Sequence, residues 1–235
     1  MSESASRASQ PAPRLAILGG TLDPIHCGHL AAATAVRDAL GIARVLVLPS
    51  NVPPHRPAQP VASPFHRFAM AALAVSGVRG LAASDDELTS GGPSYTADTL
   101  RRLLDRGMAA SQIFFITGAD AFAEIATWKR YPDVLDLANF VVVSRPGSSI
   151  DDLPARLPAL AARMRPASAG APVSDSPLIY LLKASTPDVS STAVRARLAR
   201  GESIHGLVPA LVETHIHQHG LYPAAAAANQ LHGKD

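Results

Sequence analysis

The stretch Leu15-Ala16-Ile17-Leu18-Gly19-Gly20-Thr21-Leu22-Asp23-Pro24-Ile25-His26-Cys27-Gly28-His29-Leu30 sets the architecture of this 235-residue chain. Leu15–Leu18 is a short apolar run of the β type, and a helical pattern, His29–Leu40, comes after the loop and ends at Gly41. Gly19 and Gly20 remove side chains where backbone N–H groups can approach a polyphosphate. Pro24 stiffens the turn. Gly28 and His29 open the helix, whose N-terminus favours an anion. His26 and His29 stand three apart at that entry, so both rings can face one ligand. An imidazole there can donate to phosphoryl oxygens as charge builds on them. Either histidine alone reads as a surface residue; the combination in one strand–loop–helix reads as a site.

The same unit recurs along the chain. Apolar β-type runs appear at Val45–Leu48, Ile113–Thr117, Phe140–Ser144 and Leu178–Leu182, with a weaker one at Leu81–Ser84. Helical patterns lie between them. Pro64–Val75 begins after Ser63 with proline in its first turn. Thr96 is expected to cap Ala97–Arg106, which stops at Gly107; Ser190 or Ser191 caps Thr192–Arg200, which stops at Gly201. Near-continuous apolar strands alternating with helices predict an α/β fold, a Rossmann-like doubly wound parallel sheet with helices on both faces. Such sheets bind ligands beyond the carboxyl ends of their strands, where strand order reverses. Residues 147–176 read as a surface excursion with a short helix. One domain, 14–222, is expected between a disordered tail at 1–13 and a flexible one at 223–235.

Composition narrows the function. With 21 basic and 19 acidic residues, the formal charge of +2 leaves no broad footprint for nucleic acid. No apolar run approaches the roughly 20 residues that cross a bilayer, so no membrane partner is expected. The N-terminus lacks the apolar core of a secretory signal. Cys27, the single cysteine, cannot form an internal disulfide, and a cytoplasmic setting is expected. Its place beside two histidines and a helix start predicts either a thiol of lowered pKa or an inert buried one.

The chain has neither G-x-x-x-x-G-K-[ST] nor G-x-G-x-x-G, which removes the ordinary P-loop and weakens a dehydrogenase reading. His26-Cys27-Gly28-His29 instead resembles the signature of the HxGH nucleotidyltransferases. Ser190-Ser191-Thr192-Ala193-Val194-Arg195 resembles that group's second motif, usually SSTxIR. Four further segments resemble the bacterial nicotinate-nucleotide adenylyltransferase branch. These are Leu48–Arg56 (usually ending PPHK), Ser94–Leu100 (SYTxDTL), Gly118-Ala119-Asp120 with Trp128 (GxD…W), and Ser144–Gly147 (RPG). The resemblance runs from about Leu15 to Tyr222.

It implies transfer of AMP from ATP to nicotinic acid mononucleotide, with Mg²⁺ carried on ATP and no protein ligand named for it. His26, His29 and Arg195 are the implied catalytic residues. ATP is expected at these three with Gly19, Gly20, Thr21, Gly118, Asp120, Ser191 and Thr192. The mononucleotide is expected at Asn51, His55, Arg56, Tyr95, Thr96 and Trp128. The amides at the helix start near Tyr95–Ala97 suit its carboxylate. Trp128 either stacks on the pyridinium, worth roughly 0.5–2 kcal/mol, or is a core residue. Two departures stand out: Arg56 replaces the usual lysine and Leu22 the usual phenylalanine. Rival readings are another HxGH transferase, a metal-dependent hydrolase using His215, His217 and His219, and a catalytically dead nucleotide sensor.

Overall fold

The computed structural model describes residues 13–54, 61–145, 147–168, 174 and 176–223. The two tails, but for Pro13 and Pro223, lie outside them, as do His55, Arg56 and Pro146. Seven strands form one sheet: β1 (Leu15–Gly20), β2 (Arg44–Pro49), β3 (Leu81–Ala83), β4 (Ile113–Gly118), β5 (Asn139–Val143), β6 (Met164–Pro166) and β7 (Ile179–Leu182). Their order is β3-β2-β1-β4-β5-β7-β6, and every pairing is parallel. The expected strands match within two residues at each end.

The strands are continuously apolar because both faces are covered. Ala16, Leu18, Phe114, Ile116, Val141 and Val143 face one core, with α1 (Cys27–Leu40), α2 (Pro64–Val75), α7 (Ser191–Ala199) and α8 (Ala210–Gln218). Ile17, Ile113, Phe115, Phe140 and Val142 face the other, with α4 (Thr96–Asp105), α5 (Ala119–Ala123) and α6 (Leu153–Arg156). The alternation reflects the two-residue period of a strand. The chain leaves β1 through β2 and β3 and returns to β4 on its other side, so order reverses between β1 and β4. The loop opening at Gly19 therefore sits where a doubly wound sheet binds its ligand.

Three elements differ from expectation. The excursion at 147–176 carries α6, a 3₁₀ turn over Pro158–Arg163, and β6. β6 is an edge strand, where Pro166 is tolerated because its missing N–H faces no neighbour. Short α3 (Asp86–Ser90) comes after β3 without an apolar stripe to announce it. At α4 the cap is Tyr95, not Thr96. The Tyr95 carbonyl already accepts the N–H groups of Asp98 (3.0 Å) and Thr99 (3.1 Å), and the Ser94 N–H is held by Val52. That bond keeps the chain extended up to Tyr95, which moves the helix start one residue forward. At α7 the cap is Ser190, whose hydroxyl accepts the Ala193 N–H at 3.1 Å.

Candidate active site

Two glycines of the loop, Gly19 and Gly28, have a steric reason. A Cβ on Gly19 would press within 3.2 Å of the Phe115 ring on β4. One on Gly28 would reach 3.0 Å from His26 Nδ1 and 3.3 Å from Val189. Leu22 sits at φ 51, where a non-glycine residue is strained, and its buried side chain packs in the first core. The departure from phenylalanine is thus a matter of packing.

His26 caps α1, which begins at Cys27 rather than His29, so His29 occupies its third position. The two rings lie 3.7 Å apart. The His26 N–H donates to His29 Nδ1 at 3.2 Å. In a neutral ring this places the remaining proton on Nε2, as a donor. Burial, then the charge of Arg145, pushes His26 down to about 4. Burial, His26 and Arg145 together hold His29 well below its ordinary value. Both imidazoles are therefore neutral near pH 7, and His26 Nδ1 is buried without a protein partner. An anion arriving here would meet donors already oriented, and its charge would favour protonating them.

The start of α1 offers less to an anion than its position alone suggested, because the Cys27 N–H donates to the Leu207 carbonyl at 2.9 Å. The Cys27 thiol is half-buried, and burial raises its pKa. Of the two alternatives, burial favours the inert thiol over one activated by its neighbours.

The second motif closes on the loop. Ser191 Oγ donates to the Pro24 carbonyl at 2.9 Å, and Arg195 Nη1 donates to the Asp23 carbonyl at 2.5 Å. Arg195 also lies 3.5 Å from Thr192 Oγ1. Beyond β4, a Cβ on Gly118 would collide with Asp120 Oδ1 at 2.5 Å and Arg145 Nε at 2.9 Å. Only glycine lets those two side chains converge there. Sequence reasoning missed Arg145 as a site residue: its motif was read for resemblance alone, although a cation after a strand end was visible. It borders a cleft of about 610 Å³ beyond β5 and β7, lined also by Ser144, Ser149, Asp151, Lys183 and Ser185.

On the β2 side, the Asn51 N–H donates to Ser94 Oγ at 2.7 Å and Asn51 Nδ2 to the Gly92 carbonyl at 3.2 Å. The loop after β2 is thus joined to the segment leading into α4. Trp128 is half-buried, meeting Phe115 and Phe140 in T-shaped contacts at 6.0 and 6.2 Å, so it forms the rim of the second core. Lys129 lies 4.3 Å over the Tyr95 ring and 2.7 Å from Asp98.

Two buried charges join these parts. Arg67, 0 % exposed, donates to the carbonyls of Thr21 (2.9 Å), Ser50 (2.5 Å), Asn51 (2.9 Å) and Ala62 (3.2 Å). A buried guanidinium is tolerable only when its donors are so occupied. Asp23, 2 % exposed, accepts from Val61 (2.8 Å), Ala62 (3.2 Å) and the Tyr222 hydroxyl (2.6 Å). Neither pairing was legible, since the partners are far apart in sequence.

Of the three histidines proposed for a metal hydrolase, His215 and His219 come together at the end of α8, their ring centres 4.3 Å apart, without His217. His215 Nε2 lies 3.1 Å from His66 Nδ1 of α2, His219 stacks beside them, and His217 is exposed. Among the described residues, no group of three or more His, Cys, Asp or Glu is arranged to hold a metal, and no helix is long and apolar enough to cross a membrane.

A parallel sheet with a glycine–histidine loop at its switch point and an arginine-bearing second helix defines a nucleotidyltransferase class. The cytidylyltransferase-like family model matches residues 17–197. A Desulfatibacillum aliphaticivorans protein named probable nicotinate-nucleotide adenylyltransferase is 39 % identical over 217 residues, covering 89 % of this chain and 99 % of its own. A Roseiflexus protein of the same name is 43 % identical over 208 residues, covering 88 % and 97 %. The Plasmodium falciparum nicotinic acid mononucleotide adenylyltransferase complexed with NaAD has the same fold, at TM-score 0.67 and 18 % identity, covering 90 % and 98 %. The chain belongs to the cytidylyltransferase-like family and, within it, to the nicotinate-nucleotide adenylyltransferases.

Proposed function

We infer that the chain transfers AMP from ATP to nicotinic acid mononucleotide, giving nicotinic acid adenine dinucleotide and pyrophosphate. The observation that carries this reading is Arg67 binding the Thr21 and Asn51 carbonyls at once. It puts a phosphate-type loop and an acceptor-type wall side by side. The names of the relatives agree with it. Both substrates would bind within 14–222, and a cytoplasmic setting suits a chain with one unpaired cysteine.

The acceptor phosphate oxygen attacks the α-phosphorus directly. The new P–O bond forms as the bond to the β-phosphate bridging oxygen breaks, its electrons leaving with pyrophosphate. Such transfers depend on position and charge stabilisation rather than a protein nucleophile. His29 Nε2–H and His26 donate to the phosphates, with Arg145 and Arg195 as flanking cations. Gly19, Gly20, Thr21, Ser191 and Thr192 border the triphosphate, and Gly118 and Asp120 the ribose. The cleft beside Arg145 takes the nucleoside. Mg²⁺ enters with ATP as part of the substrate, neutralising phosphate charge. Asn51, Tyr95, Thr96 and Trp128 hold the mononucleotide, with His55 and Arg56 assigned by resemblance alone. The amides of Thr96 and Ala97, which lack helical partners by position, meet its carboxylate.

Pyrophosphate release from ATP with nicotinic acid mononucleotide against nicotinamide mononucleotide tests this. The acid is expected to lead by about 1.5–3 kcal/mol, the worth of a hydrogen bond to a charged group. Equal kcat/KM removes the carboxylate subsite, and no release with either removes the activity.

A further inference from the structure

Glu87 is a buried carboxylate, 7 % exposed, with no place in the mechanism above. It sits on α3, the short helix wedged against α4. Thr99 Oγ1, itself 1 % exposed, donates to Glu87 Oε1 at 2.6 Å. The same hydroxyl lies 3.4 Å from the Tyr95 carbonyl, the cap of α4. On the other side of Tyr95, the Ser94 hydroxyl accepts the Asn51 N–H at 2.7 Å. Asp86, next to Glu87, ties α3 to α4 again through Arg102 at 3.1 Å and through Arg106. Arg102 Nη2 in turn donates to Thr99 Oγ1 at 3.1 Å.

We propose that Glu87 is the positioning residue for the acceptor's carboxylate: by holding Thr99, whose hydroxyl lies against the Tyr95 cap carbonyl, it fixes the direction of the α4 N-terminal amides. The inference rests on the proposed function and goes beyond it in naming a group that touches no substrate. A carboxylate serving only stability could be buried anywhere with a hydroxyl partner. This one holds the hydroxyl one turn past the cap, which itself lies against the cap carbonyl, so a shift of Glu87 turns the helix start itself. Its burial raises its pKa.

The test uses the full chain with Glu87→Ala, Glu87→Gln and Thr99→Val, with steady-state kinetics for ATP and for both mononucleotides. Glu87→Ala is expected to raise KM for nicotinic acid mononucleotide about tenfold, the scale of one lost hydrogen bond to a charged group, with KM for ATP within about twofold. The acid-to-amide ratio of kcat/KM should fall by about the same tenfold factor. Glu87→Gln, which keeps one acceptor, should recover much of both. Thr99→Val, nearly isosteric, should move the same two readouts in the same direction, and it carries the test if Glu87→Ala does not fold. A rise in KM for both substrates together, or an unchanged acid-to-amide ratio in a folded variant, overturns the proposal. A wild-type chain that does not distinguish acid from amide overturns the carboxylate subsite and this proposal with it. Variants that discriminate as well as wild type overturn the role of Glu87 alone.

Discussion

The two halves of the site are built differently. The loop after β1 is fixed from distant parts of the fold: Arg67 holds Thr21, Arg195 holds Asp23, Ser191 holds Pro24, Leu207 holds Cys27, and Tyr222 closes on Asp23. The wall beyond β2 shares Arg67, through the Ser50 and Asn51 carbonyls, and is otherwise fixed by its neighbour, through Asn51, Val52 and Ser94. The difference matches the chemistry each half is assigned. Stabilising charge on a reacting phosphate requires donors that do not reorganise as charge develops. Holding an acceptor requires complementarity to a flat ring and a carboxylate, which a shorter set of bonds can supply.

The largest expected break falls in the first half. His29→Ala should lower kcat by roughly a hundredfold or more while the melting profile persists, the usual worth of one charge-stabilising donor. His26→Ala should show a smaller loss. Near-normal turnover in folded His29→Ala would mean that the loop binds without assisting.

Acid stability is the second test, because the β1 loop carries the buried imidazole of His26. An unfolded histidine titrates near 6.5 and folded His26 near 4. Between these values the unfolded chain holds the extra proton, so stability is complete above 6.5 and is lost as pH falls through 4. The loss from His26 is about 2 kcal/mol by pH 5 and about 3 kcal/mol below pH 4. Denaturant melts at pH 7 and pH 5 measure it, and His26→Asn should reduce the difference by about that amount, His29 supplying the rest. Equal stability in wild type would place the ring in water.

The wall is probed by Trp128, the sole tryptophan. Nicotinic acid mononucleotide should quench its emission saturably, and Trp128→Ala should weaken binding by roughly 0.5–2 kcal/mol, the worth of a stacked cation. Emission that ignores a ligand whose binding calorimetry detects would make it a core residue only.

The smallest effect belongs to Cys27. With its thiol pKa raised by burial, Cys27→Ala should leave turnover within about twofold, and maleimide labelling of the native chain at neutral pH should be slow. Fast labelling that MgATP blocks would restore the activated thiol.

The strands and most helix ends were legible because a two-residue period and capping residues are local signals. His26, His29 and the Gly118/Asp120 pair could be picked out as candidates because each stands at or beyond the carboxyl end of a strand, where a parallel sheet keeps its ligands. β6 gave no signal: Met164-Arg165-Pro166 is three residues long and carries a proline. The α4 cap was misplaced because the Val52–Ser94 bond that keeps the preceding chain extended joins residues on different strand-end loops. Arg67 and Asp23 read as an ordinary helix residue and a turn residue, since nothing local says which carbonyls or hydroxyl they will meet.

The hydrogen bond from Tyr222 to Asp23 spans 199 positions. Contacts of such separation form late, because a long stretch of chain must be ordered before its ends are held together. On a ribosome, β1 and its glycine–histidine loop emerge before the other strands, yet the Asp23 carboxylate waits for 199 further positions before its last donor arrives. A nascent chain stopped short of Tyr222 would carry every strand of the sheet and both nucleotide motifs but an unfinished loop. Assembly of the loop is thereby timed to the arrival of the segment after α8.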